Sequence, residues 1–220
     1  QQGTSMHSKI YSATTIGIDA HNVEVEVDLS LGLINFNIVG LPDKAIRESK
    51  DRIKAALKNA GVKLPQRLIT VNLAPASLKK EGVLFDVPIA IAILQAAGLI
   101  SLSKEFINDT LFLGELSLDG SIRSIFGVLS IACDAVKMKK KRLIIPEENI
   151  YEATLVEGIE VIGVSSLVQL VAYLRGEQDI ALAVHHEDAQ KDADAKSKPI
   201  DFSQVKGQWQ AKRALQIAAA

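Results

Sequence analysis

Four histidines and one cysteine are the residues of this 220-residue chain best suited to hold a metal or attack a substrate, and their spacing suits neither task. His185 and His186 are adjacent, so on any helix their rings diverge, and they read as solvated linker residues rather than ligands. His7 and His21 read as structural or surface residues, and there is no His-Glu-x-x-His, so no metal site is expected. Cys133 stands among Ile131, Ala132, Ala135 and Val136, where a small buried hydrophobe is expected rather than a nucleophile. A lone cysteine rules out an internal disulfide and a cysteine-based zinc site, and fits a reducing cytoplasm. Neither the G-x-x-x-x-G-K-[ST] loop nor the dinucleotide-binding glycine fingerprint is present, so no cofactor is expected in these residues.

What remains is positive charge. Lys and Arg number 25 against 26 Asp and Glu, a formal net charge of −1, so any affinity for nucleic acid must come from local patches. The run Lys137 to Arg142 (KMKKKR) closes a predicted helix, where cations complement the dipole and bond the last carbonyls. Lys44, Arg47, Lys54 and Lys58 fall on one face of another predicted helix and read first as a solvated face, since Glu48 and Asp51 offset them. No run approaches the roughly 18 apolar residues that span a bilayer, and no secretory start is visible, so a soluble, cytoplasmic protein without membrane contact is expected.

The elements that would position these residues alternate between strand and helix. Val23, Val25, Val27 and Leu29 alternate with Glu24, Glu26 and Asp28, the period of a strand with one wet face. Leu33 to Val39 predicts a second strand, and Asp43 caps a helix that runs to about Ala60 and stops at Gly61. Leu68 to Leu73 predicts a buried strand. Asp86 is expected to cap a central helix with Pro88 in its first turn and an apolar run from Ile89 to Ala97. Leu111 to Leu116 and Ile122 to Ile125, around Leu118-Asp119-Gly120, predict a hairpin. A helix (Val128 to Met138), a strand (Leu143 to Ile145), a short helix after Pro146, a strand (Val161 to Val164) and a helix (Leu167 to Leu174) follow. The class is mixed α and β.

Residues 1–5 precede the first methionine and read as an expression scar. Residues 6–180 form the first domain. Residues 181–199, polar and rich in Asp, Lys and Ala, read as a linker, and residues 200–220 as the truncated start of a second domain.

The stretches TTIGIDAHNVEVEVDLS, FNIVGLPDKAIRESKDRIKAALKNAG, ITVNLAPASLKKEGVLFDVPIAIAIL and GELSLDGSIRSIFGVLS, in this order, resemble the N-terminal region of the magnesium-chelatase-like AAA+ ATPases. The segment Asp201 to Gln208 with QAKRALQIAAA resembles the opening of the AAA+ module just before its P-loop. The resemblance implies a Lon-like first domain of the ribosomal-protein-S5 domain 2-like fold, similar to the Lon protease catalytic domain and the RadA C-terminal domain. Leu84 then stands at the Lon nucleophile and Leu129 at the Lon lysine, so the Ser-Lys dyad is absent and no catalytic residue is expected. Ser77, Lys79, Ser124 and Phe126 depart from the family pattern, which has Asp, Pro, Pro and Arg at these positions.

The implied function is a non-catalytic accessory domain of a homohexameric ATPase that acts on DNA, a helicase or branch-migration motor in recombination and natural transformation. The alternatives are a degenerate peptidase using Ser77 or Ser130, or a metal-chelatase-type ATPase subunit. ATP and Mg would belong to the full-length protein, with Gly207 and Gln208 in the segment near the adenine. DNA contact would come first from Lys79 and Lys80, then from Arg123 and the Lys44, Arg47, Lys54 and Lys58 stripe, because phosphate contacts need flexible cations on an accessible surface. With apolar residues mostly committed to a core, no large exposed patch is expected and the isolated chain is expected to be monomeric or weakly associating.

Overall fold

The computed structural model describes residues 6–64, 66–185 and 205–218. Strands β1 (His7–Ile16) and β2 (Asp19–Ser30) form an antiparallel hairpin in which Ile16 faces Asp19. The alternation in β2 works as predicted: Val23, Val25, Val27 and Leu29 are buried, while Glu24, Glu26 and Asp28 lie on the opposite face. β3 (Asn35–Val39), helix α1 (Lys44–Asn59) and β4 (Leu68–Ala74) form a crossover that puts β3 parallel to β4, and the sheet order is β1-β2-β4-β3. The predicted second strand is shorter than expected. Leu31, Leu33 and Ile34 instead form a loop and are 85%, 91% and 69% exposed, a patch the sequence did not predict.

Helix α2 (Asp86–Ala96) packs on the buried face of this sheet, against β1 and β2. Its side chains are buried on every side except at Gln95, as expected for a helix that is apolar all round. Each of Ile89, Ile91 and Ile93 removes enough apolar surface from water to contribute about 1.5–3 kcal/mol. After α3 (Lys104–Asp109), strand β5 (Thr110–Phe112) opens a second sheet with β8 (Arg142–Pro146) and β9 (Glu160–Val164), all parallel, in the order β5-β8-β9. Between β5 and β8 come the two-residue strands β6 (Glu115–Leu116) and β7 (Ile122–Arg123) and helix α4 (Val128–Lys137). A 3-10 turn (Glu147–Asn149) and α5 (Ile150–Ala153) connect β8 to β9, and α6 (Leu167–Leu174) closes the domain.

The predicted hairpin from Leu111 is therefore two structures. Gly114 sits at φ 155°, where a Cβ would lie 2.8 Å from Val87, so the chain bends out of β5 and only β6 and β7 pair. Two elements went unread. β1 hides its period because its inward positions include Ser8, Ser12 and Thr14, and α3 is only six residues long.

The first compact unit reaches His185, so the opening residues of the predicted linker lie on the domain. The Ala183 amide donates to the Val161 carbonyl (2.8 Å), and the His185 ring lies 5.5 Å from that of Tyr151. In the second unit, helix α7 (Trp209–Ala218) carries no buried residue. The predictions for residues 1–5, 186–204, 219 and 220 lie outside the described residues. Among the described residues no helix is long and apolar enough to cross a membrane, and no group of three or more His, Cys, Asp and Glu side chains could hold a metal ion.

Candidate nucleic-acid interface

Helix α1 begins where the sequence says it should. The Asp43 carboxylate accepts from the Ile46 amide (2.8 Å), satisfying one of the donors a helix N-terminus leaves open. Its second oxygen accepts from the Gly82 amide (2.9 Å), so the same residue ties the loop after β4 to the start of the helix. Ile46, Ser49, Ile53, Ala56 and Leu57 turn into the core. The outward face carries Lys44, Arg47, Lys50, Lys54 and Lys58, all exposed. At 1.5 Å per residue, Arg47 and Lys58 are about 16 Å apart along a rigid axis.

The partners of these cations differ. Lys44 lies 3.6 Å from Glu48, an exposed contact of little energetic weight. The Lys54 ammonium is 5.8 Å from the centre of the Phe36 ring. Arg47, Lys50 and Lys58 have no carboxylate in ion-pair range among the described residues. Lys50 was missed in the sequence, although its place four residues before Lys54 was the signal. Arg52, on the same helix, points the other way. Its guanidinium holds the buried Asp86 carboxylate in a two-pronged contact (2.7 and 3.0 Å) and donates to the Ala45 carbonyl (3.3 Å).

Asp86 is thus not the cap predicted for α2. Phe85 occupies the cap position, and Asp86 instead joins α1 to β6 by also accepting from the Leu116 amide (3.1 Å). Burial pushes its carboxyl up to about 6, against the opposing pull of Arg52 and the Leu116 amide.

The predicted leading pair, Lys79 and Lys80, is split by the structure. Lys80 is fully buried: its ammonium donates to the Gly40 carbonyl (2.8 Å) and to the Pro75 carbonyl, and its backbone pairs with the loop at Leu41 to Asp43. Burial lowers its pKa below the usual lysine value. A cation spent on two carbonyls inside the protein is not on the accessible surface that phosphate contact requires, which removes Lys80 from the candidates. Gly40, its partner, sits at φ 97°, and a Cβ there would fall 2.1 Å from the Leu73 carbonyl oxygen. Lys79 is exposed and paired with Glu81 at 2.5 Å. Arg123 is exposed on β7, facing Glu115 in register, and three residues on Phe126 is 97% exposed.

Leu84 is buried before α2, Leu129 lies in the first turn of α4, and the Ser77 and Ser130 hydroxyls have no hydrogen-bond partner among the described residues. Cys133 is exposed rather than buried, because α4 turns Ile131, Ala132 and Ala135 inward and leaves position 133 on the outer side. Asp134, one residue on, is the buried one, accepting from the Ala20 amide (2.6 Å) and Lys137 (2.6 Å). Gly207 and Gln208 are exposed, just before α7, and the Gln208 carbonyl accepts from the Lys212 amide (2.9 Å).

The arrangement can hold a polyanion by its phosphates. The exposed helix face offers cations for phosphate contact and no aromatic ring on which a base could stack.

Residues 25–149 match the family described as subunit ChlI of Mg-chelatase. The competence protein ComM of Haemophilus influenzae is 40% identical over 211 residues, covering 96% of this chain and 41% of the relative. An uncharacterized protein of Mycobacterium tuberculosis is 39% identical over 212 residues (96% and 41%), and the uncharacterized protein YifB of Escherichia coli is 36% identical over 215 residues (97% and 40%). The chain thus spans about two-fifths of the length of these relatives.

Proposed function

Because the chain belongs to the family of the Mg-chelatase subunit ChlI, we propose that it is a non-catalytic, Lon-like accessory domain of a hexameric AAA+ ATPase that acts on DNA in the cytoplasm. In this reading ATP and Mg are handled by the remainder of a longer protein, and Gly207 and Gln208 approach the adenine there. The mixed sheet, with a parallel β3–β4 pair beside an antiparallel hairpin and α2 on one face, supports an S5 domain 2-like assignment. The name of the Haemophilus relative, a competence protein, supports a role in DNA uptake or recombination. The observation that carries the proposal is the outward face of α1, where Lys44, Arg47, Lys50, Lys54 and Lys58 stand together on one rigid helix. This face replaces Lys79 and Lys80 as the leading contact, with Arg123 beside it as a lesser one.

The test is charge reversal of Arg47, Lys54 and Lys58 to Glu in the full-length protein, with DNA affinity measured across a salt series. Affinity should fall at least about tenfold at low salt, and the salt slope should shrink by about 0.7–0.9 for each phosphate that the protein no longer neutralises. Unchanged affinity and slope would remove α1 from the interface.

A further inference from the structure

A second feature lies between β1 and α3. A cavity of about 420 Å³ is lined by His7, Lys9, Tyr11, Gln95, Lys104 and Asn108, with Leu102 and Ile107 as its apolar wall. Among the described residues no carboxylate lines it. The polar groups it offers are mostly donors. The Gln95 carbonyl oxygen is already taken by the Leu102 amide (3.0 Å), which leaves the side-chain NH2 for a guest. The Tyr11 hydroxyl, the Lys104 ammonium and the Asn108 side-chain amide make no hydrogen bond among the described residues.

The surrounding charges are held in place. Glu24 fixes Lys9 at 2.7 Å, leaving further ammonium hydrogens for a guest. The Lys140 ammonium lies 3.8 Å from the centre of the Tyr11 ring and donates to the Asn108 carbonyl (2.6 Å). Lys9 approaches the same ring at 5.9 Å. Two ammonium groups against one phenol, with a third lysine at the cavity wall, make a site that favours negative charge and supplies a hydroxyl donor beside it.

We propose that this cavity binds a phosphate monoester. Such a group carries about −1.5 to −2 charges at pH 7 and three strong acceptor oxygens, which suits a donor-rich wall better than the single charge of a backbone diester. A bare phosphate would not fill the volume, and Leu102 and Ile107 provide an apolar surface for the organic part of the ester. The source is either a free nucleotide or the phosphorylated end of a nucleic-acid strand.

Titration calorimetry on the 220-residue chain tests the proposal, with thymidine 5′-monophosphate, thymidine, and oligothymidylates carrying a 5′-phosphate or a 5′-hydroxyl. The monophosphate should bind at least about tenfold more tightly than thymidine. Lys104→Ala and Tyr11→Phe should each weaken it several-fold; the first alters an exposed side chain and the second removes one hydroxyl, so unchanged melting temperatures will show that the fold is kept. A preference for the 5′-phosphorylated oligonucleotide that disappears in Lys104→Ala identifies strand ends as the source. Binding of the monophosphate alone identifies a free metabolite. Equal affinity for thymidine and its monophosphate, no saturable binding up to about 10 mM, or full binding by both variants would overturn the proposal.

Discussion

Replacing Asp86 by Asn keeps the shape of the side chain and removes its charge, and the consequence depends on pH in a direction the structure fixes. The carboxyl titrates at about 6 in the folded chain, against 3.8 for an ordinary aspartate. Between those values the native state holds a proton that the unfolded chain has released. The contribution of this group to stability is therefore fully present below about pH 3.8 and is lost as pH rises through about 6. A shift of about two units corresponds to about 3 kcal/mol over the whole range, of which about 2 kcal/mol falls between about pH 4.5 and about pH 7.5.

Asp86→Asn has no such dependence. Urea unfolding of both proteins at the two pH values cancels the titration of every other group, and the stability of the variant relative to wild type should rise by about 2 kcal/mol from the lower pH to the higher. In thermal unfolding the same change is about 4–8 °C for a chain of this size. Desolvation of the buried carboxyl outweighs its contact with Arg52, which is itself partly exposed. If Asp86→Asn instead loses stability relative to wild type as pH rises, the ion pair outweighs desolvation and the reasoning is refuted.

Three further substitutions probe the loops that meet at the start of α1. Gly40→Ala places a Cβ against the Leu73 carbonyl at a backbone angle that side chains avoid, and urea unfolding should show a loss of more than about 3 kcal/mol. Lys80→Met keeps the apolar stem but deprives two carbonyls of their donor, at a cost of about 1–3 kcal/mol, whereas Lys79→Met next to it should stay within about 0.5 kcal/mol by the same measurement.

The parts of this molecule legible in its sequence were those set by local periodicity. The alternation of β2, the cap and core stripe of α1, and the apolar α2 each follow from neighbours a few residues apart. What could not be read depends on distant segments meeting. Lys80 looks like its neighbour Lys79 until the loops at Gly40 and Pro75 close around it. Asp86 looks like a helix cap, but Arg52 lies 34 residues earlier and the Leu116 amide 30 residues later. β1 mixes serine and threonine into its buried side, where Ser8 donates to the Ala92 carbonyl (2.6 Å) across 84 residues, so its pattern makes sense only with α2 in place. At the candidate interface, the α1 stripe was visible as spacing. Its rank above the Lys79–Lys80 loop needed the burial of Lys80.

The two faces of the four-stranded sheet also bear on how the molecule meets a partner. Glu24, Glu26 and Asp28 line one face, while α1, with its row of cations, lies on the side of the other. A net charge of −1 therefore conceals a separation of opposite charges, a dipole across the sheet. A polyanion approaching from a distance exerts a torque that turns the helical side toward it before any contact forms, while on the other face Lys9 already offsets Glu24. The benefit appears in the association rate and fades as salt shortens the range of the field. The isoelectric point, an average over both faces, is a poor guide to how the protein will behave toward nucleic acid or an ion-exchange surface.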